Sequence, residues 1–178
     1  MEDTKSLNTF LASVEKRAYR MAQIATGNSD DALDIVQDAM LKLVEKYADK
    51  PADEWRYLFF KIVQSRITDW HRRSKVRTII SKVVSPFEPA TGKVDLAEAH
   101  SGRSSEQPEE VLRTGQQIAA LELALQRLPM RQQQAFLLRV WEGFDVRETA
   151  AAMSCSEGSV KTHYSRAIHT LRDQLDAI

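Results

Sequence analysis

Three observations predict an all-α fold, in which two small helical domains are joined by a flexible linker and the second is a helix-turn-helix. Apolar residues recur at helical spacing over residues 7–77 and again over 111–171. The 178 residues include only 6 glycines and 5 prolines, too few for a turn-rich β architecture. Between Val83 and Glu110 lie Pro86, Pro89, Gly92, Gly102, Pro108 and several serines with few large apolar residues. That composition reads as a linker, which divides the chain into domains at 1–82 and 111–178 and lets them sit far apart.

The first helix carries Leu7, Phe10, Leu11, Val14, Ala18, Met21, Ala22 and Ala25, and Gly27 suits its C-terminal cap. Asn28 or Ser29 then starts a second helix whose apolar seam is Leu33, Val36, Met40, Leu43 and Tyr47. Asp49-Lys50-Pro51 breaks it. A third helix begins near Trp55, with Leu58, Phe59, Ile62, Val63, Ile67 and Trp70 over more than half of its circumference.

After the linker, Val111, Leu112, Ile118, Leu121, Leu125 and Leu128 mark another helix. Pro129 suits the first turn of the next, which carries Phe136, Leu137 and Val140 and ends at Gly143. Asp145-Val-Arg-Glu148 is a capping-box start for a short helix running to Met153. Ser156 can cap a last helix with Val160, Tyr164, Ala167, Ile168 and Leu171 on its apolar side.

Composition narrows the function. Cys155 is the only cysteine, so no internal disulfide is possible and a cysteine-based metal site is not expected. His71, His100, His163 and His169 lack metal-ligand spacing, and neither a Gly-rich phosphate loop nor a Gly-x-Ser-x-Gly elbow occurs. The expectation is a non-enzyme with no catalytic residues, no metal and no cofactor. No apolar run approaches the roughly 18 to 20 residues of a membrane span, and Met1-Glu2-Asp3-Thr4 is acidic where a signal peptide is basic. A cytoplasmic protein with no membrane partner is expected.

Formal net charge is zero, but it is unevenly spread. Residues 1–54 hold 7 basic and 11 acidic groups, 55–82 hold 8 and 1, 83–110 hold 2 and 6, and 111–178 hold 8 and 7. The basic third helix can neutralise several phosphates and release their counterions.

The short helix, three-residue turn and final helix form a helix-turn-helix, in which the second helix enters the major groove. Ala150, Ala151 and Ala152 permit close helix approach, and Val160 turns into the core. The opposite face carries Glu157, Ser159, Lys161, Thr162, Ser165 and Arg166, the candidates for reading duplex DNA. The plainer alternative is a solvated face on an ordinary helical hairpin. The caps, alanines, Val160 and Lys161 in register favour DNA binding.

Two further surfaces lie upstream. On the second helix Asp34, Asp38, Leu41 and Glu45 share one stripe, either a solvated face or a docking surface for a basic helix. On the third, a polar strip of Tyr57, Lys61, Gln64, Thr68, His71 and Arg72 continues into a basic loop with Arg73, Lys75 and Arg77. Cations that follow a backbone beside rings that stack suit an unpaired DNA strand, whereas most of the aromatic residues in this helix read as core.

Three stretches together resemble the extracytoplasmic-function group of bacterial sigma factors. They are Asp31-Ala-Leu-Asp-Ile-Val-Gln-Asp-Ala-Met-Leu-Lys-Leu43, Trp55-Arg-Tyr-Leu-Phe-Phe-Lys-Ile-Val-Gln-Ser-Arg-Ile-Thr-Asp-Trp-His-Arg-Arg73, and Ala124-Leu-Gln-Arg-Leu-Pro-Met-Arg-Gln-Gln-Gln-Ala-Phe-Leu-Leu-Arg139 continuing through the helix-turn-helix. The resemblance implies that the face from Asp34 to Glu45, with Gln37 beside Asp34 and Asp38, docks on a coiled coil of the largest subunit of core RNA polymerase. It also implies that the third helix and the segment from Arg72 to Arg77 capture the minus-10 element of promoter DNA as it melts. The second domain would read the minus-35 element, with Arg131 and Arg139 on phosphates. An anti-sigma factor is a further partner common in the family. Ser165 and Ile168 depart from the larger or basic groups that relatives often carry there. A stand-alone dimeric operator-binding regulator explains the helix-turn-helix equally well, but leaves the acidic stripe and the basic third helix without a role. A helical adaptor leaves the recognition face unexplained.

Overall fold

The computed structural model describes residues 2–84 and 108–176, with side chains from 6–78 and 115–176. Most of the expected linker lies outside the described residues. The chain is helical in the order α1 (Glu2–Thr26), α2 (Ser29–Tyr47), α3 (Ala52–Val84), α4 (Pro108–Arg127), α5 (Met130–Phe136), a π-helical turn (Leu137–Trp141), α6 (Val146–Met153) and α7 (Glu157–Leu175). No strand occurs among the described residues.

The local stop and start signals work as their chemistry dictates. Gly27 takes φ +66°, where a side chain is disfavoured, and its N–H reaches the Gln23 carbonyl at 2.8 Å. Asn28 Oδ1 accepts from the amide of Asp31 at 2.9 Å, satisfying a first-turn donor of α2. α3 starts directly after Pro51 and has neither Gly nor Pro until its end, so nothing interrupts it. The segment from Arg72 to Arg77, expected as a loop, is therefore helix. Both this helix and α4 run into the span expected as linker, ending at Val84 and beginning at Pro108.

α1, α2 and α3 close on a core containing Val14, Met21, Val36, Leu43, Phe59 and Val63. On α2 the buried face is Ala32, Ile35, Val36, Ala39 and Leu43, and Leu33, expected in the seam, is 44% exposed. Trp55 and Phe59 are core, as expected, and Trp55 Nε1 donates to the Tyr47 carbonyl at 3.2 Å.

In the second unit Leu125, Leu128, Ala135, Leu138, Met153, Val160, Ala167 and Leu171 are buried. The amide of Glu142 bonds the Leu137 carbonyl at 3.1 Å, an i to i−5 link that breaks the 3.6-residue phase. For that reason Val140, expected in the core, is 52% exposed, with Trp141 beside it.

The two units are in contact rather than apart. α3 packs against α6, and α1 touches α4. The Phe60 ring meets Phe144 edge-on with centroids 5.8 Å apart, and Arg56 lies 4.5 Å over the Phe144 ring.

Candidate nucleic-acid interface

The recognition unit is built by its caps. Asp145 Oδ1 accepts from the Glu148 amide at 2.7 Å while Glu148 Oε2 accepts from the Asp145 amide at 2.8 Å, so both halves of the capping box are made. α6 ends at Ser154, a non-glycine residue at φ 52°, whose N–H bonds back to Ala150 and Ala151. This left-handed residue redirects the chain within the three-residue turn. Ser156 Oγ then accepts from the Ser159 amide at 3.1 Å and opens α7.

Val160 is fully buried, and that fixes the outward face of α7. Glu157, Lys161, Thr162, Ser165 and Arg166 are exposed along it, as the sequence predicts. Ser159 is half-buried, its hydroxyl 2.9 Å from that of Ser156, which engages it in the cap. Thr162 Oγ1 donates to the Gly158 carbonyl at 3.0 Å and keeps a lone pair for a ligand. His163 stands beside this face with its pKa lowered by burial and then by Arg131 and Arg166, which favours the neutral ring.

Arg131 and Arg139, expected on phosphates, brace the unit. Arg131 Nη1 donates to the Met153 carbonyl at 2.9 Å and lies 3.3 Å from Gln134 Oε1. Arg139 Nη1 donates to the Phe144 carbonyl, and its guanidinium lies 5.7 Å from the Tyr164 ring centre. Both are half-buried.

The strip on α3 divides in two. Lys61, Arg72, Arg73, Lys75 and Arg77 are exposed, and Tyr57, Thr68 and His71 half-buried. Lys61 Nζ lies 3.2 Å from the Tyr57 hydroxyl, so a cation and a ring sit together, as stacking on an unpaired strand needs. Burial, then Lys75, lowers the pKa of His71. Gln64 departs from its expected exposure: it is only 2% exposed, with Nε2 2.8 Å from Met21 Sδ. Gln134 of α5 covers it, donating from Nε2 toward the Gln64 carbonyl at 3.5 Å and to Thr68 Oγ1 at 3.3 Å. Around this contact Lys61, Thr68 and Arg72 face Arg131 and Gln134 across a cleft of about 270 Å³.

On α2, Asp34, Gln37, Asp38, Leu41 and Glu45 are all exposed. Asp38 Oδ2 is 2.6 Å from Arg66 Nε of α3, which ties part of the acidic stripe to its own domain. Leu33, Leu41 and Val44 are 44%, 61% and 43% exposed, so an apolar lane adjoins the acidic one. Sequence reasoning found Leu41 and missed the other two. Their shared side with Leu41, given the helical period from Leu33, was the available signal.

Among the described residues no group of three or more His, Cys, Asp or Glu could hold a metal, and no helix is long and apolar enough to cross a membrane.

Two family models match the chain: Sigma-70 region 2 over residues 7–77 and Sigma-70, region 4 over residues 118–171. The chain is 28% identical over 159 residues to the ECF RNA polymerase sigma factor SigM of Mycobacterium tuberculosis, covering 85% of this chain and 68% of the relative. It is 27% identical over 182 residues to the RNA polymerase sigma-E factor of Streptomyces coelicolor, covering 99% and 90%. Its fold is similar to the sigma factor RpoE of Bartonella quintana, solved in complex with the anti-sigma factor NepR. The TM-score is 0.69 at 20% identity over 97% of this chain and 98% of that one.

Proposed function

Because the chain belongs to the extracytoplasmic-function group of the bacterial sigma-70 family, a sigma factor that binds core RNA polymerase and directs promoter-specific initiation, we propose a division of labour among its three surfaces. The exposed α2 face, with Asp34, Gln37, Asp38, Leu41 and Glu45, docks on the coiled coil of the polymerase's largest subunit. Its acidic lane suits a basic helix, and the apolar lane of Leu33, Leu41 and Val44 supplies burial.

The α3 strip holds the minus-10 element as it melts. Tyr57 and His71 offer rings, while Lys61, Arg72, Arg73, Lys75 and Arg77 follow the phosphates. An extruded base costs a few kcal/mol, which these contacts must offset. Thr68, half-buried, flanks the strip, while the Gln64 side chain is held inward against Met21 and supports the helix from behind. The α7 face of Glu157, Lys161, Thr162, Ser165 and Arg166 reads the minus-35 duplex, with Ser159 holding the helix start. Arg131 and Arg139 support this reading from behind, and any phosphate contact they make uses their remaining donors.

The chain works in the cytoplasm, where its polymerase is, and contributes binding rather than a reaction of its own. An anti-sigma factor is a natural further partner, given that RpoE is solved with one.

The observation that carries this reading is the co-occurrence in one chain of a capped recognition helix, a cationic ring-bearing strip and an exposed acidic and apolar helix face. Reconstitution tests it. The purified chain mixed with bacterial core polymerase is expected to bind it and to direct transcription from a defined subset of a genomic library. Failure to bind core would remove the reading.

A further inference from the structure

Arg66 of α3 reaches into the acidic lane of α2. Its Nε lies 2.6 Å from Asp38 Oδ2, with Asp34 one turn before Asp38 and Glu45 two turns after it on the same side of the helix. We propose that Arg66 belongs to the polymerase-docking face, where it receives an acidic side chain of the otherwise basic partner helix, and that this one reversal of charge within the lane sets the register of docking. The inference rests on the docking role given to α2 above and adds the residue that specifies it.

Three observations carry it. The first is what the contact leaves free. A guanidinium has five N–H donors in a fixed fork, and its strongest pair with a carboxylate uses two of them side by side. Here one nitrogen lies near Asp38 and its N–H is not directed at an acceptor, so the contact is one of charge rather than a formed hydrogen bond. Among the described residues no acceptor takes the two terminal nitrogens. Asp69, one turn along α3, lies 3.9 Å from Arg72 Nη1 instead.

The second is the consequence of covering the pair. With side chains 30% and 51% exposed, Arg66 and Asp38 keep water, and such a pair adds little to folding. A docked helix removes that water. Beneath a wholly basic helix the guanidinium would be left with one poorly aimed partner, whereas a carboxylate set against its terminal nitrogens satisfies it.

The third is the order of charge. Asp34 and Glu45 are exposed and have no ion pair among the described residues, so they flank the Asp38 and Arg66 pair as open negative groups. The complementary helix is therefore basic, then acidic beside Arg66, then basic again. A partner displaced by one turn sets like charges together, and this is how complementary potentials fix register and reject wrong partners.

The test uses the full chain and bacterial core polymerase. Arg66→Ala is expected to weaken core binding about tenfold, with helicity and melting temperature close to wild type. The direction decides: a partner basic throughout would bind this variant more tightly, because Asp38 is freed and the chain gains net negative charge. Unchanged or tighter binding therefore overturns the proposal. The double variant Asp38→Arg with Arg66→Asp restores an internal pair and the wild-type net charge. It is expected to melt as wild type does while core binding stays weaker by about tenfold or more. Recovery of core binding would show a pair that matters only within the chain, and would also overturn the proposal. If the double variant unfolds early, Arg66→Ala decides together with Arg66→Lys, which keeps the charge without the fork and should recover part of the loss. Asp34→Arg and Leu41→Asp separate the two ideas. If they weaken core binding while Arg66→Ala does not, only the role of Arg66 fails; if none of the three does, the docking face lies elsewhere.

Discussion

Arg131 on α5 donates from Nη1 to the carbonyl of Met153, the last residue of α6, at 2.9 Å. The bond ties the supporting helix to the end of the helix that sets the recognition turn. Arg131→Ala should therefore lower stability by about 1 to 2 kcal/mol, the loss of one charge-assisted bond at a half-buried site. Thermal denaturation checks this. An unchanged melting temperature with weaker DNA binding would return Arg131 to phosphate contact.

The capping box makes a second prediction. Asp145→Ala removes the acceptor for the Glu148 amide and should cost about 1 kcal/mol. Asp145→Asn keeps an acceptor and should recover most of it. Urea unfolding of both variants distinguishes a cap from a surface charge, because a mere charge effect would make the two equal.

Docking on polymerase is best probed away from Asp38, since Arg66 already holds that carboxylate at 2.6 Å. Asp34→Arg and Leu41→Asp alter exposed positions with no such partner in the way of the change. Each should weaken core binding at least tenfold, about 1.4 kcal/mol, while the melting temperature stays within a degree or two. Pull-down with core polymerase reads the first effect and calorimetry the second. Core binding at wild-type strength in both variants would move the docking face elsewhere.

Lys161 and Arg166 are exposed on α7 and free to meet DNA. If either reads a base, its replacement by alanine should cost about 1 to 3 kcal/mol and relax preference at one position of the minus-35 element. Selection from a randomised duplex pool measures this. A loss that is uniform across sequences would assign that residue to phosphate.

Glu142 predicts a pH dependence. Its side chain is 1% exposed, and burial raises its pKa above the usual 4.5 even though Arg17 and Arg56 pull the other way. A raised carboxyl favours the folded, closed chain in its protonated form. The stability it contributes is present below about pH 4.5 and is lost as pH rises through the folded value. Glu142→Gln removes this dependence, so between pH 4.5 and 7 the variant should gain on wild type as pH rises. His71 and His163, with lowered pKa values, act in the opposite sense below their usual 6.5, and comparing the two chains at each pH cancels them. Parallel melting curves across the range would show that Glu142 does not titrate there.

What the sequence legibly encodes here is local. The caps at Asn28, Asp145 and Ser156, the stops at Gly27 and Gly143, and the inward turn of Val160 depend on neighbours within four residues. Hydrogen-bond reach and the helical period are enough to place them. The outer face of α7 follows from the same period, and so does most of the α2 stripe. The π-helical turn was not legible, because nothing in Leu137-Leu-Arg-Val-Trp141 departs from a helical pattern.

The sequence by itself therefore determined the helices, the capped ends at Gly27, Asn28, Asp145 and Ser156, the helix-turn-helix and the sign of charge on each surface, since all of these are set by short-range sterics and hydrogen bonding; the far end of α3 and the start of α4, which carry no such cap, it did not. Only the tertiary structure decided that Gln64 is covered, that Gln134 covers it, and that Glu142 sits between Arg17 and Arg56. Those partners are separated by 70 residues or more. Burial of a polar group is favourable only where a distant partner satisfies it, and no local pattern records which partner that is.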